Sequence, residues 1–424
     1  MKKNKGITLV ALVVTIVVLL ILAGLSINLV LGDNGIVKKA QDAKTKSAEA
    51  SENDLKGMNG LIEQMESTLN GSGNGGKTEP DTVPYLPSDD FHYDTSTSVD
   101  TGLVIKDGSG NEYVWVVVPR TTAVYAKTGL GKTTFTDADY TSIENDLKEY
   151  TKTYRGSISY LDTWYADDKN EGWLTPGEYT ELKNSMLKSV YENGGFYVGR
   201  YEAGIGTNRT SNTDKNSDGK YTMPSTAPLS KVDAYPYTRV TRTQAQNLAS
   251  NVNSGTKTSS LMFGVQWDLV LAFMHNKGNI ADSTLTSNST TIGNYYNSTF
   301  DLNRGKYAQY NKLGNPWNNF DSALGSIVVS NETTGKMKKI EQSSYSNGIL
   351  LTTGGTERSN VMNIYDIAGN VSEWTLEKAS RTSDPCAFRG GNFTDAGSSI
   401  AAASRRSNST DYSDSTLGFR VSLF

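Results

Sequence analysis

The stretch YDIAGNVSEWT, Tyr365 to Thr375, places two carboxylates and a Gly-Asn pair within eleven residues. Asp366 and Glu373 lie on either side of Gly369-Asn370, a pair typical of tight turns. Such a turn leaves backbone carbonyls unpaired, and Ca²⁺ takes roughly 6–8 oxygen ligands. The segment therefore predicts either a calcium site or a plain turn, whose carboxylates face water while Trp374 packs in the core.

The composition excludes several classes of function. At 424 residues the chain has room for two or three domains. A net charge of −4 gives no electrostatic basis for binding nucleic acid. The single cysteine, Cys386, excludes an intrachain disulfide and a thiolate metal cage. The two histidines, His92 and His275, are not spaced as metal ligands.

The N-terminus predicts where the protein is located. Residues 7–31 are 25 almost continuously apolar residues, and as a helix they reach roughly 38 Å, more than the ~30 Å hydrocarbon core of a bilayer. Lys2, Lys3 and Lys5 precede them and orient the N-terminus toward the cytoplasm. A cleaved secretory signal peptide has a shorter apolar region, so we expect a single-pass protein with an extracellular head.

This N-terminal arrangement, KKNKG followed by ITLVALVVTIVVLLILAGLSI, resembles the signal of type IV pilins and type II secretion pseudopilins. The resemblance implies cleavage after Gly6, methylation of Ile7, and packing of residues 7–31 against other pilins or in the membrane. Most pilins carry glutamate at the fifth mature position, where this chain has Ala11. This departure favours a minor or tip pilin, and a protein that stays in the membrane is the alternative.

Four regions follow from this interpretation: a prepilin leader (1–6), a transmembrane or filament helix with its stalk (7–69), a flexible linker (70–82) and a head (83–424). The stalk carries an apolar stripe at helical spacing: Leu55, Met58, Ile62, Met65 and Leu69. The linker sequence NGSGNGGKTEPD has the composition of a flexible coil.

The head mixes strand and helix patterns. Strands are expected at Tyr113–Pro119 and across Gly194–Gly204. Thr175 as N-cap, followed by Pro176, starts a helix that stops at Gly194. RTQAQNLASNV and GVQWDLVLAFMHNKG predict two more helices. The expected fold class is α+β with many loops.

Six segments of the head, taken in their order along the chain, carry a family resemblance: GGFYVGRYEAG, YTRVTRTQAQNLASNV, LMFGVQWDLVLAFM, MNIYDIAGNVSEWT, FRGGNF and LGFRVSLF. Together they resemble the formylglycine-generating enzyme, or sulfatase-modifying factor, family. The resemblance covers roughly residues 190–424. It implies a C-type lectin-like fold following the long N-terminal pilin-type helix.

The residues needed for that family's chemistry are absent from the matching positions. Its active enzymes bind copper through two cysteines placed after the RGG segment, where this chain has Asp395 and Ile400. Cys386 lies before Arg389 and cannot replace them. Iron-dependent relatives need a histidine cluster, which two dispersed histidines do not supply. We therefore expect a non-catalytic head without copper or iron.

The resemblance assigns structural Ca²⁺ to the side chains of Asp366 and Glu373 and the carbonyls of Gly369 and Val371. A second, weaker calcium segment is DKNSDGK, in which Asp214, Asn216 and Asp218 alternate as in half of an EF-hand loop. Its twelfth position is Ser225 rather than the usual glutamate, which favours the alternative of a plain polar turn.

The segment between Gly391 and Leu417 is rich in small polar residues. It resembles the variable region of diversity-generating retroelement proteins, and adaptable polar residues with scattered aromatics suit a binding surface. A solvated loop is the alternative. The candidate ligand-binding residues are Asn392, Thr394, Asp395, Ser398, Ser399, Arg405, Arg406, Asn408, Asp411, Tyr412 and Asp414.

The leading functional hypothesis is a surface-displayed, pilin-like adhesin whose non-catalytic head binds an extracellular protein, a glycan or a phage. The alternative is a structural minor pilin or pseudopilin of a type IV pilus or type II secretion system. A formylglycine-generating-type enzyme is the third and least favoured hypothesis.

Overall fold

The computed structural model describes residues 82–156, 159–210, 215–300, 302–309, 317–320, 340–341 and 348–424. The chain divides into two units, Met1–Gly76 and Lys77–Phe424. The predicted leader, apolar helix and stalk, and all of the linker except Thr82, lie outside the described residues. Among the helices that are described, none combines the length and the apolar character needed to cross a membrane.

The described helices confirm the three that the sequence predicts and add others. They are α1 (Asp137–Tyr150), α2 (Lys152–Arg155), α3 (Pro176–Asn193), α4 (Arg242–Ser250), α5 (Gly264–Asn276), α6 (Asp282–Thr286) and a 3-10 turn (Glu357–Ser359). Helix α3 begins and ends as predicted: Thr175 and Glu178 form a capping box, and Gly194 closes it in the left-handed conformation at φ 67°.

Short strands form the rest of the described structure. They are β1 (His92–Tyr93), β2 (Val104–Lys106), β3 (Glu112–Val117), β4 (Tyr160–Leu161), β5 (Gly195–Gly199), β6 (Gly204–Ile205), β7 (Tyr235–Pro236), β8 (Ser259–Leu261), β9 (Thr299–Phe300), β10 (Lys306–Gln309), β11 (Asn318–Asn319), β12 (Ile340–Glu341), β13 (Ile349–Leu351), β14 (Ser372–Ala379), β15 (Cys386–Arg389), β16 (Arg405–Asn408), β17 (Leu417–Phe419) and β18 (Val421–Leu423).

The first sheet has the order β1-β2-β3-β5-β18-β8 and is antiparallel throughout. The final strand, β18, lies between β5 and β8, so the C-terminus is built into this sheet. The predicted strand across Gly194–Gly204 is wrong in its second half. Strand β5 ends at Gly199, the Arg200 guanidinium binds Glu112 and Asn363, and the next strand is β6.

The second sheet has the order β16-β15-β14-β17. Strand β14 pairs antiparallel with β15 and β4 and parallel with β17. Helix α5 contacts both β3 and β14, and its residues from Gly264 to Met274 are buried. The α+β architecture is therefore confirmed, and it places the turn before β14 beside the C-terminal segment that contains β16.

Candidate functional site

The turn before β14 requires unusual backbone conformations. Asp366, Gly369 and Asn370 all have positive φ, at 60°, 75° and 53°. A Cβ atom at Gly369 would lie 2.3 Å from the carbonyl oxygen of Asn294, so only glycine fits there. The Gly-Asn pair thus makes the tight turn that the sequence predicts, packed against the segment that contains Asn294.

The Asn370 side chain is the centre of a buried hydrogen-bond network. Its Oδ1 accepts from Asn294 Nδ2 at 2.9 Å and from the Leu351 N–H at 3.0 Å. Its Nδ2 donates to the Leu351 carbonyl at 3.2 Å and to the carboxylate of Glu202. The sequence predicted a turn here but assigned no function to this amide or to Glu202.

Glu373 is bound by an arginine from the end of the chain. Arg420 donates from Nη2 to Glu373 Oε1 at 2.7 Å and from Nε to Oε2 at 3.1 Å, and both side chains are buried. The same guanidinium donates to the carbonyls of Gly199 and Tyr365, each at 2.8 Å. One cation therefore joins the turn, the first sheet and the C-terminus.

Asp366 also has protein donors on both oxygens. The Gly354 N–H donates to Oδ2 at 2.8 Å, and the Ser359 hydroxyl donates to Oδ1 at 2.6 Å. Across the described residues, no three His, Cys, Asp or Glu side chains converge as metal ligands do. Because Arg420 is the cation beside Glu373, the arrangement does not offer the open oxygen set that Ca²⁺ takes. Calcium binding through Asp366, Gly369, Val371 and Glu373 stays a prediction.

Burial shifts the pKa values of the three acids in this network upward, and Glu202 shows the largest effect. Burial, together with the negative charges of Asp366 and Glu373, raises the pKa of Glu202 well above its usual value. Burial also raises the pKa of Asp366 and of Glu373, although donors and Arg420 act in the opposite direction. No donor from the described residues reaches Glu202 Oε2. A neutral Glu202 is the state that this environment stabilises.

The second predicted calcium segment is only partly visible, because Asp214 lies outside the described residues. Asn216 Oδ1 accepts from the N–H groups of Asp218 and Lys220, at 3.1 and 2.9 Å. The oxygen assigned to calcium thus closes the turn locally, which is the plain polar turn that the sequence offered as its alternative. Calcium binding here also stays a prediction.

The positions of the family's two catalytic cysteines hold groups with other contacts. Asp395 forms a two-point ion pair with Arg406, with distances of 3.0 and 2.5 Å. Ile400 is half-buried, and its N–H donates to the Ala396 carbonyl. Cys386 lies buried in β15, where burial raises the pKa of its thiol to about 11. The thiol is therefore protonated and inert at neutral pH.

The prediction that Arg405 faces a ligand is wrong. Its side chain is 4% exposed and binds Asp268 at 2.5 Å and Glu377 at 3.0 Å. Arg389 binds the same two carboxylates from the neighbouring strand. Arg405 and Arg389 pair across β16 and β15, so the arginine is held by the buried ion cluster beneath the segment.

The other candidate ligand-binding residues differ in exposure. Asn392 is also buried, and its Oδ1 accepts from the N–H and hydroxyl of Thr394 at 2.8 and 2.7 Å, so it shapes the loop from inside. Ser398 and Ser399 are exposed. The remaining candidates are half-exposed: Thr394, Asp395, Arg406, Asn408, Asp411, Tyr412 and Asp414. These nine side chains, all at least partly exposed, are called the outer layer of the segment.

Comparison with known proteins supports the C-terminal part of this picture. Residues 330–423 match the sequence model of a family described as sulfatase-modifying factor enzyme 1-like domain. The match is shorter than the expected 190–424 and covers less than a quarter of the chain. It includes the turn before β14 and the whole candidate ligand-binding segment.

Two solved structures are similar to this chain at low sequence identity. The structure described as CarF is 15% identical and covers 54% of this chain and 85% of its own, with a TM-score of 0.30. Treponema denticola variable protein 1 is 13% identical and covers 63% and 96%, with a TM-score of 0.26. No curated protein matches. The head is thus a mixed helix-and-sheet structure whose C-terminal part is similar to the sulfatase-modifying factor domain.

Proposed function

We propose that this protein is a surface-displayed, pilin-like adhesin whose non-catalytic, C-type lectin-like head binds a ligand through its C-terminal segment. The observation that supports this most is the contrast between two neighbours in β16. Arg405 enters a buried ion cluster, whereas Arg406 is half-exposed and pairs with Asp395 on the outer side. A buried ion cluster, called the fixed layer, thus supports the partly exposed side chains of the outer layer.

The fixed layer gives the segment a rigid base. Arg389 and Arg405 bind Asp268 of helix α5 and Glu377 of β14 from below. A binding site on a packed sheet is held more precisely than one on a free loop. The base therefore supports β16 from its buried side through Arg405.

The outer layer consists of small polar groups and one aromatic residue. Ser398 and Ser399 are exposed, while Asn408, Asp411 and Tyr412 are half-exposed. Serine and asparagine adapt their hydrogen bonds at low entropic cost, and tyrosine supplies contact area, as in antibody paratopes. This composition supports recognition of an extracellular protein, a glycan or a phage surface, and it is the pattern that diversification of this segment would produce.

The proposal of a non-catalytic head rests on the two positions after the RGG segment. Asp395 is engaged by Arg406, and Ile400 offers no metal ligand. The match of residues 330–423 to the family does not itself decide between enzyme and binder.

The placement at a membrane or filament rests on the sequence of residues 7–31 and the signal around Gly6 and Ile7. A head that only caps or assembles a filament would leave the outer segment without a ligand. The experiment is to screen full-length protein in detergent against arrayed glycans, extracellular proteins and phage particles. Saturable binding supports the adhesin, and its absence from all three sets supports the structural pilin.

A further inference from the structure

A groove of about 490 Å³ lies along the segment that precedes helix α3, outside the candidate ligand-binding segment. Its lining includes Trp164, Trp173, Asp168, Glu171 and Lys220. It is open to solvent, and both tryptophans are half-exposed.

The two indole rings are fixed by their N–H groups. Trp164 Nε1 donates to the Leu174 carbonyl at 2.7 Å, and Trp173 Nε1 donates to the Tyr165 carbonyl at 2.6 Å. Each indole N–H is therefore already bonded within the protein, so a ligand in the groove would contact the apolar surface of the rings. Two pre-ordered aromatic rings in one groove lower the entropic cost of binding.

A cation already stacks on one of these rings. The guanidinium of Arg242 lies 4.1 Å from the Trp173 ring centroid, within the range of a cation–π contact. Arg242 approaches from the core, since it is 1% exposed. Trp173 thus already binds a cation from the protein, and Trp164 is a second aromatic residue of the groove lining.

The groove also carries an excess of negative charge. Asp167, Asp168 and Glu171 line it together with one cation, Lys220. Asp167 is buried and accepts from Asn170 and Thr243, whereas Asp168 and Glu171 are exposed. The Lys220 ammonium lies 3.9 Å from Glu171, longer than a close charge-assisted hydrogen bond. Glu171 is therefore held loosely by an ammonium that a ligand can replace.

We infer that this groove binds an alkylammonium cation, such as a trimethylammonium head group or a methylated lysine side chain. Aromatic rings and carboxylates together recognise such cations, because the ring quadrupole and the charge both attract them while the methyl groups pack on the indole. The carboxylates would repel an anion, and a neutral polyol lacks the positive charge that both the rings and the carboxylates attract. The groove adjoins the proposed adhesin surface, since Asn170 Nδ2 donates to the Thr410 carbonyl at 3.0 Å and Lys169 pairs with Asp411 at 3.0 Å, but the inference does not rest on the adhesin function.

Isothermal titration calorimetry of the full-length protein tests this with choline chloride, a trimethyllysine peptide and phosphatidylcholine vesicles as separate probes. Binding of choline alone would indicate a small soluble ligand, binding of the peptide a methylated protein, and binding of the vesicles a lipid head group. We expect Trp164→Ala to weaken binding roughly 2- to 30-fold. Asp168→Asn/Glu171→Gln should weaken it by a similar factor, and Lys220→Ala should strengthen it.

The acid-to-amide variants keep the size of exposed side chains and so preserve folding. Asp89→Asn, an exposed carboxylate outside the groove lining, is the matched control and should leave binding unchanged. Absence of saturable binding by all three probes would overturn the inference. Unchanged affinity in both Trp164→Ala and Asp168→Asn/Glu171→Gln would also overturn it. Binding of neutral methyl glucoside with the same affinity as choline would do so as well.

Discussion

The Glu373 carboxylate and the Arg420 guanidinium form a buried ion pair with 2.7 Å between Oε1 and Nη2. Arg420 also holds the carbonyls of Tyr365 and Gly199, so the pair joins the turn before β14 to the first sheet. A protein cation thus stabilises the acidic turn in which the sequence predicted calcium.

Arg420→Met should lower the free energy of unfolding by about 3–5 kcal/mol, because it leaves Glu373 buried and unpaired. Chemical denaturation measures this. Glu373→Met/Arg420→Met should cost less than Arg420→Met alone, since neither charge is then left without its partner. Arg381→Met, which removes an exposed pair with Asp384, is the control and should cost at most about 1 kcal/mol. A loss below about 1 kcal/mol in Arg420→Met would contradict the pairing.

Melting with calcium and with chelator decides between the two cations. If the Arg420 guanidinium is the cation that neutralises Glu373, the melting temperature will be the same in millimolar CaCl₂ and in EDTA. A higher melting temperature in CaCl₂ that is lost in Glu373→Ala would instead support the calcium site at Asp366, Gly369, Val371 and Glu373. If Glu373→Ala retained the calcium response, the second segment around Asn216 would be indicated.

Glu202 should make the protein less stable as pH rises. Its folded-state pKa lies above the unfolded value, so its contribution is complete below about pH 4.3 and is lost as pH rises through the folded pKa. Glu202→Gln imitates the neutral acid and should stabilise the protein at pH 8 but not at pH 4. Denaturation at both pH values checks this, with Glu181→Gln on the exposed face of α3 as control. A Glu202→Gln variant that is less stable at pH 8 would show that the carboxylate is needed in its charged form.

Cys386 should react slowly in the folded protein. Its burial and its pKa of about 11 leave almost no thiolate at pH 8. We expect Ellman's reagent to modify less than a tenth of the thiol in native protein within an hour, and all of it in guanidinium chloride. Because the sequence has one cysteine, the signal has one source. Fast reaction of the native protein with Ellman's reagent would show that the Cys386 thiol is accessible and reactive, and would contradict its assignment as an inert buried group.

Local signals predicted the helices well, because they depend on neighbouring residues. The bounds of α3 followed from Thr175 and Gly194. Helix α1 was not predicted, although Thr136 and Asp139 form a capping box that the sequence displays. Its apolar positions are few and are separated by polar residues, so its periodicity is weak.

The single sequence did not predict which side chains far apart along the chain form hydrogen bonds and ion pairs. Glu373 finds its partner 47 residues later, and Asn370 finds Glu202 across 168 residues. The alternation of β16 predicts that Arg405 and Arg406 face opposite ways, but only the register of Arg389 with Arg405 shows which one is buried. The groove around Trp164 was missed because its residues matched no motif.

The most direct test of the central claim compares outer-face variants on whichever ligand the array screen detects. Biolayer interferometry would measure the dissociation constant of full-length protein, of Ser398→Ala/Ser399→Ala/Asp411→Ala/Tyr412→Ala, and of the control Asp89→Ala/Thr180→Ala/Glu181→Ala, whose positions are exposed outside the segment. We predict that the outer-face variant binds at least about 10-fold more weakly, while the control binds as the parent does. Equal affinity of all three proteins, or no saturable ligand for the parent, would contradict the assignment of the C-terminal segment as the binding surface.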